Sequence, residues 1–123
     1  MAKILVIEDE ANIRANISRL LTLEGHSVLT AEDGVAGVAL ARSTQPNLIL
    51  CDLRMPELDG YGVLETLKQS PDTESIPIVF LTASADQSHR AASIAKGAAG
   101  FFAKPFDLKA LLQVVTDHLP RNL

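Results

Sequence analysis

The sequence predicts an α/β domain of five parallel strands in the order 2-1-3-4-5, covered on both faces by five helices. Three observations carry that prediction. Short apolar runs alternate along the whole chain with stretches of helical periodicity, the pattern of strand–helix–strand units. The runs Ile4–Ile7 and Asn47–Cys51 are continuous rather than alternating, as in strands buried on both faces. Acidic residues stand directly after the first and third runs, which makes those strands neighbours where strand order reverses and ligands collect. The crossovers are expected to be right-handed.

Each element has its own signal. Ile4 to Ile7 is the first strand. Ile13, Ile17, Leu20 and Leu21 recur at helical spacing, and Gly25 lies just past that helix as a stop. Ser27 to Ala31 is a weaker strand. Asp33 is placed to cap a helix over Val35 to Arg42. Asn47 to Cys51 is the third strand, and Val63, Leu64 and Leu67 mark a helix after the Asp59-Gly60 turn signal. Ser70-Pro71-Asp72 is a loop. Ile76 to Leu81 is the fourth strand, with Pro77 near its start, where a missing N–H is tolerated. An Ala-rich helix from Ser88 to Ala95 ends at Gly97, and Ala99 to Ala103 is a short fifth strand. Asp107 caps a last helix carrying Leu108, Leu111, Leu112, Val115 and Leu119.

Bulk properties narrow the function. At 123 residues and 47% hydrophobic, the chain is read as one domain over residues 1–123, with a proper core. No segment approaches the roughly 18 consecutive apolar residues of a membrane span, and no signal-peptide pattern is seen. The net charge of −4 argues against direct nucleic-acid binding. The lone Cys51 cannot form an intrachain disulfide, which fits a reducing cytoplasm. The tail Pro120-Arg121-Asn122-Leu123 either ends the protein or begins a linker.

The chemistry gathers at strand ends. Glu8-Asp9 follow the first run, Asp52 the third, Thr82 the fourth and Lys104 the fifth. Three carboxylates packed together repel one another unless a cation joins them. All the candidate ligands are oxygens, which selects Mg²⁺ or Mn²⁺ over Zn²⁺. Magnesium takes one or two carboxylates plus a phosphate, so the rim suits delivery of a phosphoryl group to a carboxylate. Asp52 is the expected nucleophile, forming an acyl phosphate. The metal would take one phosphoryl oxygen, Lys104 a second, and the Thr82 hydroxyl with nearby backbone N–H groups a third.

These residues carry a resemblance. The set Glu8-Asp9, Cys51-Asp52-Leu53-Arg54-Met55-Pro56, Asp59-Gly60, Thr82-Ala83 and Lys104-Pro105-Phe106 resembles the receiver domain of two-component response regulators, over essentially the whole chain. It is similar to the single-domain chemotaxis members, which share the flavodoxin-like 2-1-3-4-5 sheet, so that order is not independent of the resemblance. The resemblance implies that Asp52 takes a phosphoryl group from a histidine kinase, a phosphotransfer protein or a small donor such as acetyl phosphate. It implies Mg²⁺ held by Asp9, Asp52 and the backbone carbonyl of Arg54, with Glu8 reaching it through water. Thr82 would move toward the phosphoryl group and Phe101 would turn inward behind it, with Ala83 beside Thr82. A cis Lys104-Pro105 bond would fix the ammonium. Arg54 and Ser84 would tune acyl-phosphate lifetime. The upstream partner would be the kinase, and a downstream effector, or an output domain, would meet the face of helix four, strand five and helix five. The domain would be a monomer or a phosphorylation-linked dimer.

The sequence departs from the family at two points: Glu8 stands where many members have Asp, and Phe101 where the chemotaxis members have tyrosine. Simpler readings exist for single residues: Asp52 as a turn former, Glu8-Asp9 as helix-dipole acids, Lys104 as a solvated lysine. His26, His89 and His118 read as surface or helix-end residues. Gly60-Tyr61-Gly62 follows a loop and lacks the third glycine of a dinucleotide fingerprint. Two alternatives to a switch stand beside it. An aspartate-nucleophile phosphatase would want a general acid where Arg54 stands. A phosphorylation-independent scaffold would not need the Asp9, Asp52, Thr82 and Lys104 set.

Overall fold

The computed structural model describes residues 2–82, 87–103 and 107–119. Five strands, β1 (Lys3–Ile7), β2 (Ser27–Ala31), β3 (Leu48–Asp52), β4 (Ile78–Thr82) and β5 (Gly100–Ala103), alternate with five helices. The helices are α1 (Ala11–Leu23), α2 (Gly34–Thr44), α3 (Gly60–Lys68), α4 (Gln87–Ala95) and α5 (Leu108–His118). All strand pairs are parallel and the order is β2-β1-β3-β4-β5, as expected.

Alternate strand residues point to opposite faces, and the sheet buries both. Leu5, Ile7, Ile49, Cys51, Phe80 and Phe101 face Val38, Ala41, Val63, Leu64 and Leu67 of α2 and α3. Ile4, Val6, Leu48, Leu50, Val79 and Leu81 face Ile17 and Leu21 of α1 and Leu111 and Val115 of α5. This double burial is why β1 and β3 read as unbroken apolar runs. Helix α4 is held differently. Ser93 is the one buried residue among its described side chains, and Ile94 is 49% exposed.

Helix starts follow short-range hydrogen bonding. The Asp33 carboxylate accepts from the Ala36 N–H at 2.8 Å, Asp59 from Gly62 at 2.8 Å and Asp107 from Lys109 at 2.9 Å. Glu10 caps α1 by accepting from the Asn12 and Ile13 N–H groups, a role its longer side chain seldom takes. Strand β4 begins at Ile78 rather than Ile76. Pro77 has no N–H to give the ladder, although its carbonyl accepts from Ile49 at 2.9 Å. Ile76 is buried but belongs to the turn before the strand, where its N–H donates to the Thr73 carbonyl.

Candidate functional site

Parallel register assembles the rim. Ile7 lies opposite Cys51, so the next residues, Glu8 and Asp52, leave their strands level with each other. Asp52 lies opposite Leu81 and Thr82 opposite Ala103, which brings the ends of β3, β4 and β5 to the same edge. One carboxylate oxygen from each of Glu8, Asp9 and Asp52 falls within 4.8 Å of the others. Glu8 and Asp52 are buried, at 1% and 7% exposure, while Asp9 is exposed.

Backbone groups hold the carboxylates in place. The Arg54 N–H donates to Asp52 Oδ1 at 3.3 Å, and the Glu10 N–H donates to Glu8 Oε2 at 3.2 Å. The Arg14 guanidinium donates to the Glu8 carbonyl at 2.7 Å, tying α1 to the end of β1. Behind Asp52, the Leu53 N–H donates to the Leu81 carbonyl and the Gly60 N–H to the Leu53 carbonyl. Gly60 is required there: a Cβ would sit 2.7 Å from the Asp52 carbonyl oxygen and 2.9 Å from Leu53 Cα. The concentration of negative charge is felt by Cys51. Burial first, then Asp52, Glu8 and Asp59, raise its thiol well above the ordinary range.

Thr82 is buried at the end of β4. Phe101 is buried on the α2–α3 face opposite Phe80, while Phe102 is half-buried on the other face. The register thus assigns Phe101 to the side of Cys51 and Phe80. The expectations for Ala83, Ser84, Lys104 and Pro105 lie outside the described residues.

All-oxygen donors with two of three carboxylates buried could hold a hard divalent cation. Beside Asp52 a groove of about 490 Å³ runs between the β3–α3 loop and α4, lined by Leu53, Arg54, Met55, Pro56, Asp59, Tyr61 and His89. Sequence reasoning did not connect Tyr61 with His89. The Tyr61 hydroxyl lies 3.4 Å from His89 Nδ1 and donates to the His89 carbonyl at 3.3 Å. His89 stands in the first turn of α4, a helix end as expected, and is half-buried against α3, a pairing 28 residues apart in the chain with no motif to announce it.

The receiver domain model of response regulators matches residues 4–116. Protein PilH of Pseudomonas aeruginosa is 33% identical over 115 residues, covering 94% of this chain and 95% of that protein. A probable transcriptional regulator, ycf27 of Porphyridium aerugineum, is 42% identical over 109 residues, covering 89% of this chain. The chain spans 44% of that regulator's length. Among solved structures, the chemotaxis protein CheY4 of Vibrio cholerae superposes with a TM-score of 0.92 at 30% identity, covering 97% of this chain and 99% of that one. The receiver domain of the sensor histidine kinase PA1611 from Pseudomonas aeruginosa superposes with a TM-score of 0.87 at 30% identity, covering 95% of this chain and 96% of that one. It is described with a magnesium ion coordinated in the active-site cleft.

Proposed function

This chain belongs to the response regulator receiver domain family of two-component signalling, and on that premise we propose that residues 1–123 form a phosphorylation-dependent switch with Asp52 as phosphoacceptor. The observation that carries the proposal is the meeting of Glu8, Asp9 and Asp52 within 4.8 Å at the carboxyl ends of β1 and β3. Three carboxylates this close repel one another, and a cation between them relieves that repulsion. A carboxylate beside such a cation is placed to accept a phosphoryl group.

Asp9, Asp52 and the Arg54 carbonyl would hold Mg²⁺, with Mn²⁺ as a substitute and Glu8 in support. The bound cation supplies charge neutralisation of the phosphoryl oxygens. Asp52 supplies the reaction. Its carboxylate oxygen forms the new O–P bond as the P–N bond of a phosphohistidine breaks, the electron pair leaving on the imidazole nitrogen. Asp52 is held for attack by the Arg54 N–H and by the strand behind it. Thr82, with Ala83 and Lys104, would receive the phosphoryl oxygens, and Phe101 would follow Thr82 through β4 and β5. Arg54 and Ser84 would set how long the acyl phosphate lasts, and Pro105 would aim Lys104.

The family implies a histidine kinase upstream, here either the kinase itself or a histidine phosphotransfer protein. Downstream, an effector protein or output domain would read the α4–β5–α5 face, in the cytoplasm. The test is incubation with acetyl phosphate and Mg²⁺ followed by intact mass. The expected result is the gain of one phosphoryl group, abolished by Asp52→Asn. No gain with any donor would overturn the proposal, and sustained turnover of unrelated phosphate esters would replace it with a phosphatase.

A further inference from the structure

Among the described side chains α4 buries no large apolar residue, yet a polar cluster fixes its side toward α3. The Tyr61 hydroxyl on α3 donates to the His89 carbonyl at 3.3 Å and lies 3.4 Å from His89 Nδ1. Ser93, one turn on, donates to the same carbonyl at 2.7 Å and reaches the Tyr61 hydroxyl at 3.5 Å. The Tyr61 ring is itself held, edge-on to Phe80 of β4 with centroids 5.7 Å apart. Lys96, just beyond α4, places its ammonium 5.5 Å from the ring centroid. Tyr61 and His89 also line the groove that opens beside Asp52.

We propose that Tyr61 is a positioning residue of the switch, a latch whose hydroxyl holds the first turns of α4 to α3 and opposes the movement that phosphorylation demands. This rests on the proposed role of Asp52 and Thr82. The Tyr61 ring packs on Phe80, two positions before Thr82 on β4, and its hydroxyl holds His89, seven positions after Thr82, so the latch joins the chain on both sides of the switch hydroxyl. A restraint made in one arrangement and lost in the other biases the equilibrium by its own strength. A hydrogen bond of ordinary net worth corresponds to about a two- to tenfold bias.

The experiment measures binding of beryllofluoride, a phosphoryl mimic, by ¹⁹F NMR in saturating Mg²⁺. Wild type, Tyr61→Phe, Ser93→Ala and Thr73→Val are compared. Tyr61→Phe keeps the ring on Phe80 and removes only the hydroxyl. Thr73→Val deletes a buried hydroxyl bond to the Leu67 carbonyl, 2.6 Å long, as a control for general loosening. The expected result is an affinity about two- to tenfold tighter in Tyr61→Phe, a smaller gain in Ser93→Ala and none in Thr73→Val. Unchanged or weaker binding in both latch variants overturns the inference, as does equal tightening in Thr73→Val. If wild type shows no bound signal that Asp52→Asn removes, the reading of Asp52 falls first and the latch with it.

Discussion

Replacing Gly60 with alanine tests how tightly α3 is seated on the strand that carries Asp52. The added Cβ would lie 2.7 Å from the Asp52 carbonyl oxygen, 2.9 Å from Leu53 Cα and 2.9 Å from Phe80 Cε1. Two of those atoms are backbone, and the third belongs to a fully buried ring, so none can swing aside. Reaching ordinary contact needs a displacement of about 0.7 Å or more, which stretches the 2.9 Å bond from the Gly60 N–H to the Leu53 carbonyl. Overpacking of this kind costs about 1–3 kcal/mol. Alanine's better helix propensity returns less than about 1 kcal/mol at a first helical position. The expected net loss is about 1–2 kcal/mol, a fall of roughly 1 M in the urea midpoint. Gly25→Ala is the contrast. Nothing lies within 4 Å of its Cβ, and its φ of +91° makes the cost one of backbone conformation alone. If Gly60→Ala unfolds at the wild-type urea concentration, the seating of α3 against β3 is wrong as described.

Four other outcomes follow from the same structure. Gln45 closes α2 with φ of 51°, so Gln45→Gly should raise stability by about 0.5–1 kcal/mol in urea melts, and a loss would refute the left-handed cap. Cys51 should resist thiol reagents in the folded protein near neutral pH and react only on unfolding, because burial and its acidic neighbours raise the thiol. Its linkage has a definite sign. The unfolded thiol ionises first, so stability in chelator falls as pH rises above the ordinary thiol range, by at most about 1.4 kcal/mol per pH unit. Cys51→Ala should flatten that slope. Asp9→Ala should weaken Mg²⁺ binding at least about tenfold by calorimetry; an undiminished affinity would place the cation elsewhere.

Much of this was legible in the sequence because the signals are local. A sheet buried on both sides writes itself as unbroken runs, and Asp33 and Asp107 announce their helices by side-chain length and acceptor oxygens. The strand-end acids marked the first and third strands as neighbours, and parallel register then fixes which residues leave the sheet together. Other features depend on neighbours the sequence does not name. Glu10 was missed as a cap because glutamate rarely folds back so far. Ile76 looked like strand because it is apolar and buried, though Pro77 denies it the ladder. Phe101 was legible as a residue of the fifth strand, but only its pairing with Phe80 says that it faces the α2–α3 side. The Tyr61–His89 contact joins two helices through a hydroxyl and a carbonyl, and backbone acceptors leave no trace in residue identity.

The most direct test of Asp52 as phosphoacceptor is chemical trapping of its acyl phosphate. The protein is phosphorylated with acetyl phosphate and Mg²⁺, reduced with borohydride, and mapped by peptide mass spectrometry. Reduction converts an aspartyl phosphate to homoserine, and the account predicts homoserine at position 52 alone, dependent on the metal. Homoserine at position 9, or reduction of Glu8 to 5-hydroxynorvaline, would contradict it. So would a phosphorylated protein in which position 52 remains aspartate.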